Sequence, residues 1–326
     1  MDKSVNVFVC ANLVMAYCWL VARLPCAAET LRADGFLVEP GGKGLNVAVG
    51  TRRLGAEVSA LVGVGRDSGG RCLRDLFAAE GISTELVFDF DTPSGHGAGL
   101  IGANGENLIA VYPGANDRLE ASHAILSQAA IAAADLVYGQ FETSLGALWE
   151  CFRRARRDGV RTALNPSPWQ PTAPQLLALC DILIVNEVEA QGIIGCGDLV
   201  QDTLMGCLAQ VRGHVADFFR TWSGELLVLT LGSRGALAFP RAGNCVAAPA
   251  YPVTALDSIG AGDAFAAGLL YGLGAGIPLP DALDQANACG AFMAAHRGVL
   301  SALPTAELLR DFRRGLAAVQ TTTSLP

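Results

Sequence analysis

Short apolar runs that suit buried strands alternate with helical runs along most of the chain. The first cycles place a strand at Val5–Cys10, a helix at Asn46–Leu54, a strand at Val58–Val64 and a helix at Arg71–Ala79. The later predicted elements are a strand at Leu136–Tyr138, a helix at Ser144–Arg157 and strands at Arg161–Leu164 and Ile182–Val185. Such alternation is typical of βαβ units. The sequence therefore predicts an α/β fold, a doubly wound and mainly parallel sheet flanked by helices.

Two stretches interrupt the alternation because each resembles extended chain with no helix inside it. They are Met15–Pro40 and Ser94–Tyr112, and the second contains a turn signal at Asn104 and Gly105. Since they are separated in the sequence, we expect them to form a small antiparallel β appendage built from insertions. The insertions are expected at about residues 13–40 and 94–113 of a single domain over residues 1–326.

The charge balance and the N-terminal segment exclude several classes of partner. With 23 Lys and Arg against 31 Asp and Glu residues, the formal net charge is −8, which offers no general attraction to nucleic acid. The apolar N-terminal run is interrupted by Asn6 and Asn12, and Asp2 beside Lys3 makes a poor signal-peptide start. The ten cysteines include no CxxC pair. We expect a cytoplasmic protein with reduced thiols and without nucleic-acid or membrane partners.

The strongest chemical signal is the segment DSIGAGD at Asp257–Asp263, directly before the apolar helical run Ala264–Leu273. Glycines before a helix leave backbone N–H groups pointing into open space, and the helix N-terminus carries partial positive charge. The segment can therefore bind an anion, with Asp263 placed to accept a proton from an attacking hydroxyl. Taken alone, Asp263 is better explained as the N-cap of that helix.

A second glycine-rich segment, GGKGLN at Gly41–Asn46, also leads into a helix. Its glycines permit close approach of the backbone to a ligand, and Asn46 offers both a donor and an acceptor to hydroxyl groups. It is not a Walker A loop, because Lys43 is followed by Gly44 rather than by Ser or Thr. The alternative interpretation is a glycine-rich turn with a solvated lysine.

Together the two segments resemble the two signatures of the ribokinase-like sugar kinases, also called the phosphofructokinase-B (PfkB) family. Further matching segments follow in the expected order: GENLIAVYPGAN at Gly105–Asn116, QFE at Gln140–Glu142, NPSP at Asn165–Pro168, NEVE at Asn186–Glu189 and TLGSRG at Thr230–Gly235. The resemblance extends from about Val5 to Phe312 and is strongest to the ribokinase branch. It implies transfer of a phosphoryl group from ATP to a hydroxymethyl group of a small sugar, ribose or a related one.

The resemblance also implies roles for individual residues. Asp263 would be the general base, and the amides of Gly260, Ala261 and Gly262 would stabilise charge on the transferring phosphoryl group. Positions that match sugar-binding residues are Gly41, Gly42, Lys43, Gly44, Asn46, Glu142 and Asp263. Positions that match nucleotide-binding residues are Asn186, Thr230, Gly232, Gly235, Gly262 and Asn287. The alternative for Thr230, Gly232 and Gly235 is an ordinary strand-turn-strand, and for Asn287 an amide on a helix surface.

The same resemblance implies two metal sites and a moving element. Asn186 and Glu189 would organise Mg²⁺ through waters, because this ion gives up its hydration reluctantly. From the spacing alone, that pair is better explained as a capping box. Asp257, with the loop near Gly298, would hold K⁺. The small appendage would be the lid that closes over the sugar, and a homodimer would form through it.

One N-terminal segment departs from the family pattern. Such kinases carry Asn-x-Asp after the first strand, and the matching positions here are Val14 and Ala16. No acidic residue lies between Asp2 and Glu29. Three functions therefore remain open: a kinase of ribose or a related sugar, a kinase of a hexose, sugar acid or nucleoside, and a protein that binds sugar or nucleotide without turnover.

Overall fold

The computed structural model describes residues 4–103 and 106–322. The strands in these ranges are β1 (Asn6–Cys10), β2 (Val14–Val21), β3 (Gly35–Gly41), β4 (Glu57–Gly65), β5 (Val87–Phe90), β6 (Gly95–Gly102), β7 (Asn107–Tyr112), β8 (Leu136–Gln140), β9 (Arg161–Asn165), β10 (Ile182–Val185), β11 (Leu226–Thr230), β12 (Ala236–Pro240) and β13 (Val246–Ala248).

The helices in the same ranges are α1 (Lys43–Arg53), α2 (Ser68–Glu80), α3 (Ala121–Leu126), α4 (Gln128–Ala132), α5 (Leu145–Arg157), α6 (Pro174–Leu177), α7 (Glu187–Ile194), α8 (Leu204–Thr221), α9 (Ala261–Gly274), α10 (Leu279–Ala294) and α11 (Ala306–Thr322). Short 3₁₀ turns lie at Gly114–Arg118 and Gly232–Arg234. Within the described ranges, no helix combines the length and the apolar character that a bilayer span requires.

Nine of the described strands form one sheet in the order β13-β12-β11-β10-β9-β8-β1-β4-β5. The neighbours from β11 to β5 all pair in parallel, whereas β12 and β13 are antiparallel at one edge. Each face of the sheet carries its own apolar core, because Val7 and Val9 of β1 enter one core while Phe8 and Cys10 enter the other. Helices α1, α9 and α10 cover the first core, and α5, α7 and α8 cover the second. This arrangement confirms the predicted α/β class.

Four strands form a separate smaller sheet in the order β3-β2-β6-β7. This small sheet confirms the predicted appendage, and β2 with β3 and β6 with β7 pair antiparallel as expected. The central pair, β2 with β6, is parallel, because these strands belong to two different hairpins and the chain passes through the large sheet between them. The predicted turn at Asn104 and Gly105 lies outside the described residues.

The helices that follow glycine-rich segments begin earlier than the sequence predicts. Helix α1 begins at Lys43 rather than Asn46, and α9 begins at Ala261 rather than Ala264. Apolar periodicity carries little signal over the residues by which the starts differ, because Leu45 is the only large apolar side chain in residues 43–45 and 261–263. The difference matters for α9, since it places Asp263 inside the helix instead of in front of it.

The side chain of Asn116 joins the small sheet to the end of the large one. It accepts a hydrogen bond from the Leu13 N–H at 3.0 Å and donates one to the Leu13 carbonyl at 2.8 Å, and it is buried. A Cβ on Gly95 would lie 2.4 Å from Asn116 Nδ2, so the neighbouring strand must have glycine at this position. Asn116 therefore fixes the point at which the chain leaves β1 and enters β2.

We predict that Asn116→Ala lowers the free energy of unfolding by about 2–4 kcal/mol, because the buried N–H and C=O of Leu13 both lose their partner. Urea denaturation of the two proteins measures this loss. The matched control is Asp117→Ala at the exposed neighbouring position, which should change stability by less than about 0.5 kcal/mol. Equal stability of the two variants would contradict the bracing role of Asn116.

Candidate active site

Three acidic residues gather at one edge of the large sheet. Glu142 follows β8, Glu189 lies in the helix after β10, and Asp263 lies in the first turn of α9. The carboxyl ends of parallel strands meet at the same edge of a sheet, which is where ligands bind in open α/β folds. The fully buried Tyr138 of β8 lies near all three carboxylates. Burial and then the charges of Asp263, Glu189 and Glu142 raise the pKa of its hydroxyl.

Asp263 is buried and is held by an amide from another helix. Its Oδ2 accepts a hydrogen bond from Asn46 Nδ2 at 2.7 Å, and the side chain is 6% exposed. Burial raises the pKa of Asp263 to about 6, although the Lys43 charge and the Asn46 hydrogen bond lower it. The capping alternative for Asp263 is wrong, because the N-cap residue of α9 is Gly260 and Asp263 is the third residue of the helix.

The glycine turn before α9 leaves room for a ligand at the helix N-terminus. Gly260 has φ of 78°, which favours glycine, and a Cβ there would lie 2.9 Å from Met293 Cε. A Cβ on Gly262 would meet no described atom within 4 Å, so open space lies in front of this residue. No described side chain caps the helix. The turn therefore has the geometry of an anion site, with a helix N-terminus facing open space.

A hydrogen-bond network surrounds the N-terminus of α1. Glu142 Oε2 accepts hydrogen bonds from Asn12 Nδ2 and from the Lys43 N–H, both at 2.9 Å. Asn12 Oδ1 in turn accepts from the Gly44 N–H at 2.9 Å and from Gln140 Nε2 at 3.0 Å. The carboxylate of Glu142 is thus oriented by the end of β1 and the start of α1.

Glycines bring α1 close to this network, and Asn46 offers an open acceptor beside it. A Cβ on Gly42 would lie 2.6 Å from Asn12 Nδ2, and a Cβ on Gly44 would lie 2.6 Å from Ala11 Cα. Asn46 is 4% exposed, and its Oδ1 has no hydrogen-bond partner among the described residues. A buried acceptor of this kind is costly unless a ligand donates to it. Asn46 therefore marks a binding position directly beside Asp263.

Asn186 and Glu189 form the capping box that their spacing allows. Asn186 Oδ1 accepts from the Glu189 N–H at 2.9 Å, and Glu189 Oε2 accepts from the Asn186 N–H at 2.8 Å. Glu189 is 1% exposed, and Asn165 Nδ2 also donates to its Oε2, at 3.1 Å. The capping alternative is therefore present in the structure. The oxygen atoms of this pair are also of the type that Mg²⁺ prefers, so the pair fits an ion that keeps several of its waters.

Three of the predicted nucleotide residues, Thr230, Gly232 and Gly235, lie in the hairpin of β11 and β12, whereas Asn186 precedes α7 and Gly262 lies in α9. Thr230 pairs with Ala236 across a 3₁₀ turn that begins at Gly232, so the strand-turn-strand alternative is also present. Gly235 has φ of 107°, and a Cβ there would lie 2.2 Å from the Ala248 carbonyl oxygen. Asn287 Nδ2 donates to the same oxygen at 2.9 Å. Gly235 and Asn287 thus both lie against the backbone at Ala248, the last residue of β13.

The amide of Asn287 is buried, at 7% exposure. Its Nδ2 donates to the Pro249 carbonyl at 3.1 Å as well as to the Ala248 carbonyl. The alternative that made Asn287 an amide on a helix surface is therefore wrong. The side chain fixes the segment after β13 against α10.

Asp257 lies beside the end of α10, which leads to the loop that contains Gly298. Its backbone N–H donates to the Ala294 carbonyl at 3.3 Å, and its Oδ1 accepts from the Ile259 N–H at 2.9 Å. Gly298 has φ of 106°, and the following Val299 N–H donates to Glu39 Oε2 of the small sheet at 3.3 Å. Asp257 thus contacts the last residue of α10, four residues before Gly298 in the chain.

Comparison with known proteins agrees with this geometry. A model of the pfkB family carbohydrate kinases matches residues 7–306 of the chain. The chain belongs to the PfkB family of carbohydrate kinases. It is 32% identical over 288 residues to the ribokinase of Haemophilus influenzae, and the aligned region covers 87% of this chain and 90% of that protein. It is 30% identical over 308 residues to the ribokinase of Mus musculus, and the aligned region covers 93% of each of the two proteins.

Solved structures support the PfkB fold. The structure of Arabidopsis thaliana ribokinase complexed with ribose and ATP has a TM-score of 0.87 to this chain at 21% identity, and it covers 95% of this chain and 99% of that one. Family, fold and carbohydrate kinase activity are thereby confirmed as predicted. The roles of the individual site residues remain predictions.

Two residues of this PfkB site, Asn12 and Gln140, were not predicted from the sequence. Both are fully buried, and their side chains connect Glu142 to the N-terminus of α1. A signal for them exists in the sequence, because each is a polar residue at the carboxyl end of a buried strand. Such residues from neighbouring parallel strands meet at the ligand-binding edge of the sheet.

We predict that Asp263→Asn raises the free energy of unfolding by about 2–3 kcal/mol at about pH 8. The folded-state pKa of Asp263, about 6, lies above the unfolded value, so the cost of burying its charge is present above pH 6. This cost falls to a small fraction of its value at about pH 4, because the carboxyl is then protonated in the folded state and partly protonated in the unfolded state.

Urea denaturation of both proteins at the two pH values tests this prediction. The exposed Asp117→Asn serves as the matched control and should change stability by less than about 0.5 kcal/mol at either pH. A gain for Asp263→Asn that is equal at both pH values would show that the charge of Asp263 is not its source.

Proposed function

We propose that this protein transfers the γ-phosphoryl group of ATP to a hydroxymethyl group of a small sugar, with ribose or a closely related pentose as the acceptor. The observation that carries this proposal is the pairing of Asp263 with Asn46 at two facing helix N-termini. One residue supplies a buried carboxylate with a raised pKa, and the other supplies an open acceptor for a hydroxyl group. The similarity to ribokinases supports the choice of a pentose.

Asp263 acts as the general base in this proposal. Its carboxylate takes the proton of the acceptor hydroxyl, whose oxygen bonds to the γ-phosphorus while the bond from that phosphorus to the ADP oxygen breaks. The amides of Gly260, Ala261 and Gly262 hold the negative charge that the transferring group carries. A base with a pKa of about 6 is ionised at neutral pH and still basic enough to accept the proton.

The sugar would lie between the N-terminus of α1 and Asp263. Backbone groups of Gly41–Gly44 and the side chains of Lys43, Asn46 and Glu142 would hold its hydroxyls. The free Asn46 Oδ1 accepts one of these hydroxyls, and its Nδ2 keeps Asp263 in place for the reaction. Binding and catalysis would thus depend on the same amide side chain.

The remaining predicted residues would serve the nucleotide and its ions. Asn186 and Glu189 would hold Mg²⁺ through waters, and the ion would neutralise phosphate charge when bound. The nucleotide would lie along Asn186, Thr230, Gly232, Gly235, Gly262 and Asn287. Asp257 and the loop near Gly298 would hold K⁺. A cytoplasmic location is part of the proposal, and it is supported by the absence of disulfides among the described cysteines.

The small sheet would act as the lid of a single domain over residues 1–326 and as its dimer contact. We define the outer face of the small sheet as the face that carries Tyr17, Trp19, Phe36, Leu100 and Leu108. Phe36 and Leu108 are each 53% exposed, and the Trp19 and Phe36 rings lie 5.2 Å apart. Large exposed apolar patches mark interaction sites. A second copy of the chain would cover this face.

We predict that the protein is a dimer and that Trp19→Glu makes it a monomer, because a charge then replaces the indole at the centre of the outer face. Analytical ultracentrifugation measures the mass of both proteins. The matched control is Leu126→Glu, which alters an exposed apolar residue on α3 and should leave the dimer intact. A wild-type monomer, or a Trp19→Glu dimer, would contradict the proposed contact.

We predict that Asp263→Asn lowers kcat by about 100- to 10,000-fold while the KM values for sugar and ATP change little. Wild-type kcat should fall below about pH 6, where the carboxyl becomes protonated. A coupled ADP-release assay over a pH series and a panel of sugars measures both effects. A variant that keeps a tenth or more of the wild-type kcat would exclude Asp263 as the base.

A further inference from the structure

The segment that follows β13 has few hydrogen bonds of its own. It covers residues 249–256 and leads from the end of β13 to Asp257, where the glycine-rich segment before α9 begins. Within the described part of the chain, residues 252–255 donate and accept no hydrogen bond. We call residues 249–256 the linking segment. It stays ordered only if its ends are held, because fixing each free residue costs conformational entropy.

Helix α10 holds both ends of the linking segment. At the beginning, Asn287 Nδ2 donates to the Pro249 carbonyl at 3.1 Å. At the end, the N–H groups of Leu256 and Asp257 both donate to the Ala294 carbonyl, at 2.8 Å and 3.3 Å. The position of the segment therefore depends on this helix.

A closed network of three side chains adds a second attachment beside Asn287. The Tyr251 hydroxyl donates to the Asp284 carboxylate, at 3.0 Å from Oδ1 and 3.1 Å from Oδ2, and it accepts from Arg313 Nε at 3.3 Å. Arg313 Nη2 also forms an ion pair with Asp284. Asp284 lies three residues before Asn287, so the two side chains share one side of α10. The network joins the linking segment to α11 as well as to α10.

The ring of Tyr251 packs on the same side. Its centroid lies 6.2 Å from that of Phe312 on α11, and the Phe312 ring meets the edge of Phe292 of α10 at 5.3 Å. Burial raises the pKa of the Tyr251 hydroxyl, so this group keeps its proton at neutral pH and remains a donor to Asp284. Helix α11 is thus fixed to the linking segment by an apolar and a polar contact.

The ion pair of this network is too exposed to contribute much to the stability of the whole fold. The side chain of Arg313 is 41% exposed and that of Asp284 is 39% exposed. Solvent screens ion pairs at such positions, and their net contribution is small. We therefore expect the network to act locally, on a segment that has few other hydrogen bonds.

We propose that Arg313 is a positioning residue for the nucleotide, acting through Asp284 and Tyr251 to hold the linking segment in the conformation that binds ATP. The inference rests on the proposed function, because the segment connects Asn287 of the proposed nucleotide site to the turn that would hold the phosphoryl group. Without the network, ATP would have to order the segment when it binds, which weakens its affinity. Once ATP is bound, the segment is ordered again, so the chemical step should not change.

Arg313→Ala tests this inference in the ADP-release assay and by isothermal titration with ADP. We expect the KM for ATP and the Kd for ADP to rise about fivefold or more, while kcat and the KM for the sugar change by less than about twofold. ADP binding requires no sugar. A lack of turnover with every sugar would therefore overturn the proposed function, whereas a weaker ADP affinity of the variant would still support this inference. No binding of ADP to the wild-type protein would overturn both.

Arg314→Ala is the matched control, because it also removes an ion pair of α11, with Asp311, but at a side chain that is 78% exposed. It should leave the Kd for ADP unchanged. Tyr251→Phe keeps the ring and removes the hydroxyl, so it should weaken ADP binding as Arg313→Ala does. The double variant should bind ADP no more weakly than the weaker single variant, because the side chains act as one unit.

Three results would overturn the inference. The first is a Kd for ADP within about twofold of the wild-type value in both Arg313→Ala and Tyr251→Phe. The second is an equal rise in the Arg314→Ala control. The third is an equal rise in the KM for the sugar, which would indicate a general loss of structure rather than a change at the linking segment.

Discussion

The hydrogen bond from Asn46 to Asp263 joins two helix N-termini that lie 217 residues apart in the chain. It forms only if α1 and α9 pack closely, and a small residue on each helix allows this. A Cβ on Gly50 of α1 would lie 2.9 Å from the Ala267 Cβ of α9, so a larger residue at either position would push the helices apart. The position of the proposed base thus depends on helix packing about one turn along each helix from the hydrogen bond.

Burial of Asp263 destabilises the protein at neutral pH, and it also makes the carboxylate useful. A solvated aspartate is too weak a base to assist deprotonation of a hydroxyl, whereas one with a pKa of about 6 is matched to neutral pH. The nearby Tyr138 hydroxyl is buried without a partner among the described residues, and Asn46 Oδ1 is in the same state. Unsatisfied polar groups that cluster at one place are typical of a site whose structure serves a ligand rather than stability.

The sequence predicts the layer architecture well because buried parallel strands and amphipathic helices have strong periodic patterns. It predicts helix starts poorly where glycines precede them, which is why Asp263 could be taken for a cap. The network of Asn12, Gln140 and Glu142 was not predicted, because hydrogen bonds between residues about 130 positions apart depend on strand order. The parallel pairing of β2 with β6 was missed for the same reason, since each hairpin alone predicts only its antiparallel partner.

An acidic chain that binds a nucleotide must supply positive potential locally. Glu142, Glu189 and Asp263 gather at the very edge where phosphates would lie, and the whole chain carries a net charge of −8. Asn12 and the α1 backbone already neutralise part of Glu142 through hydrogen bonds, and the capping box does the same for Glu189. The repulsion that remains would be offset by the amides at the start of α9, by Lys43 and, in the proposed function, by a bound divalent ion. Because these sources act only within the cleft, the outer surface needs no basic patch.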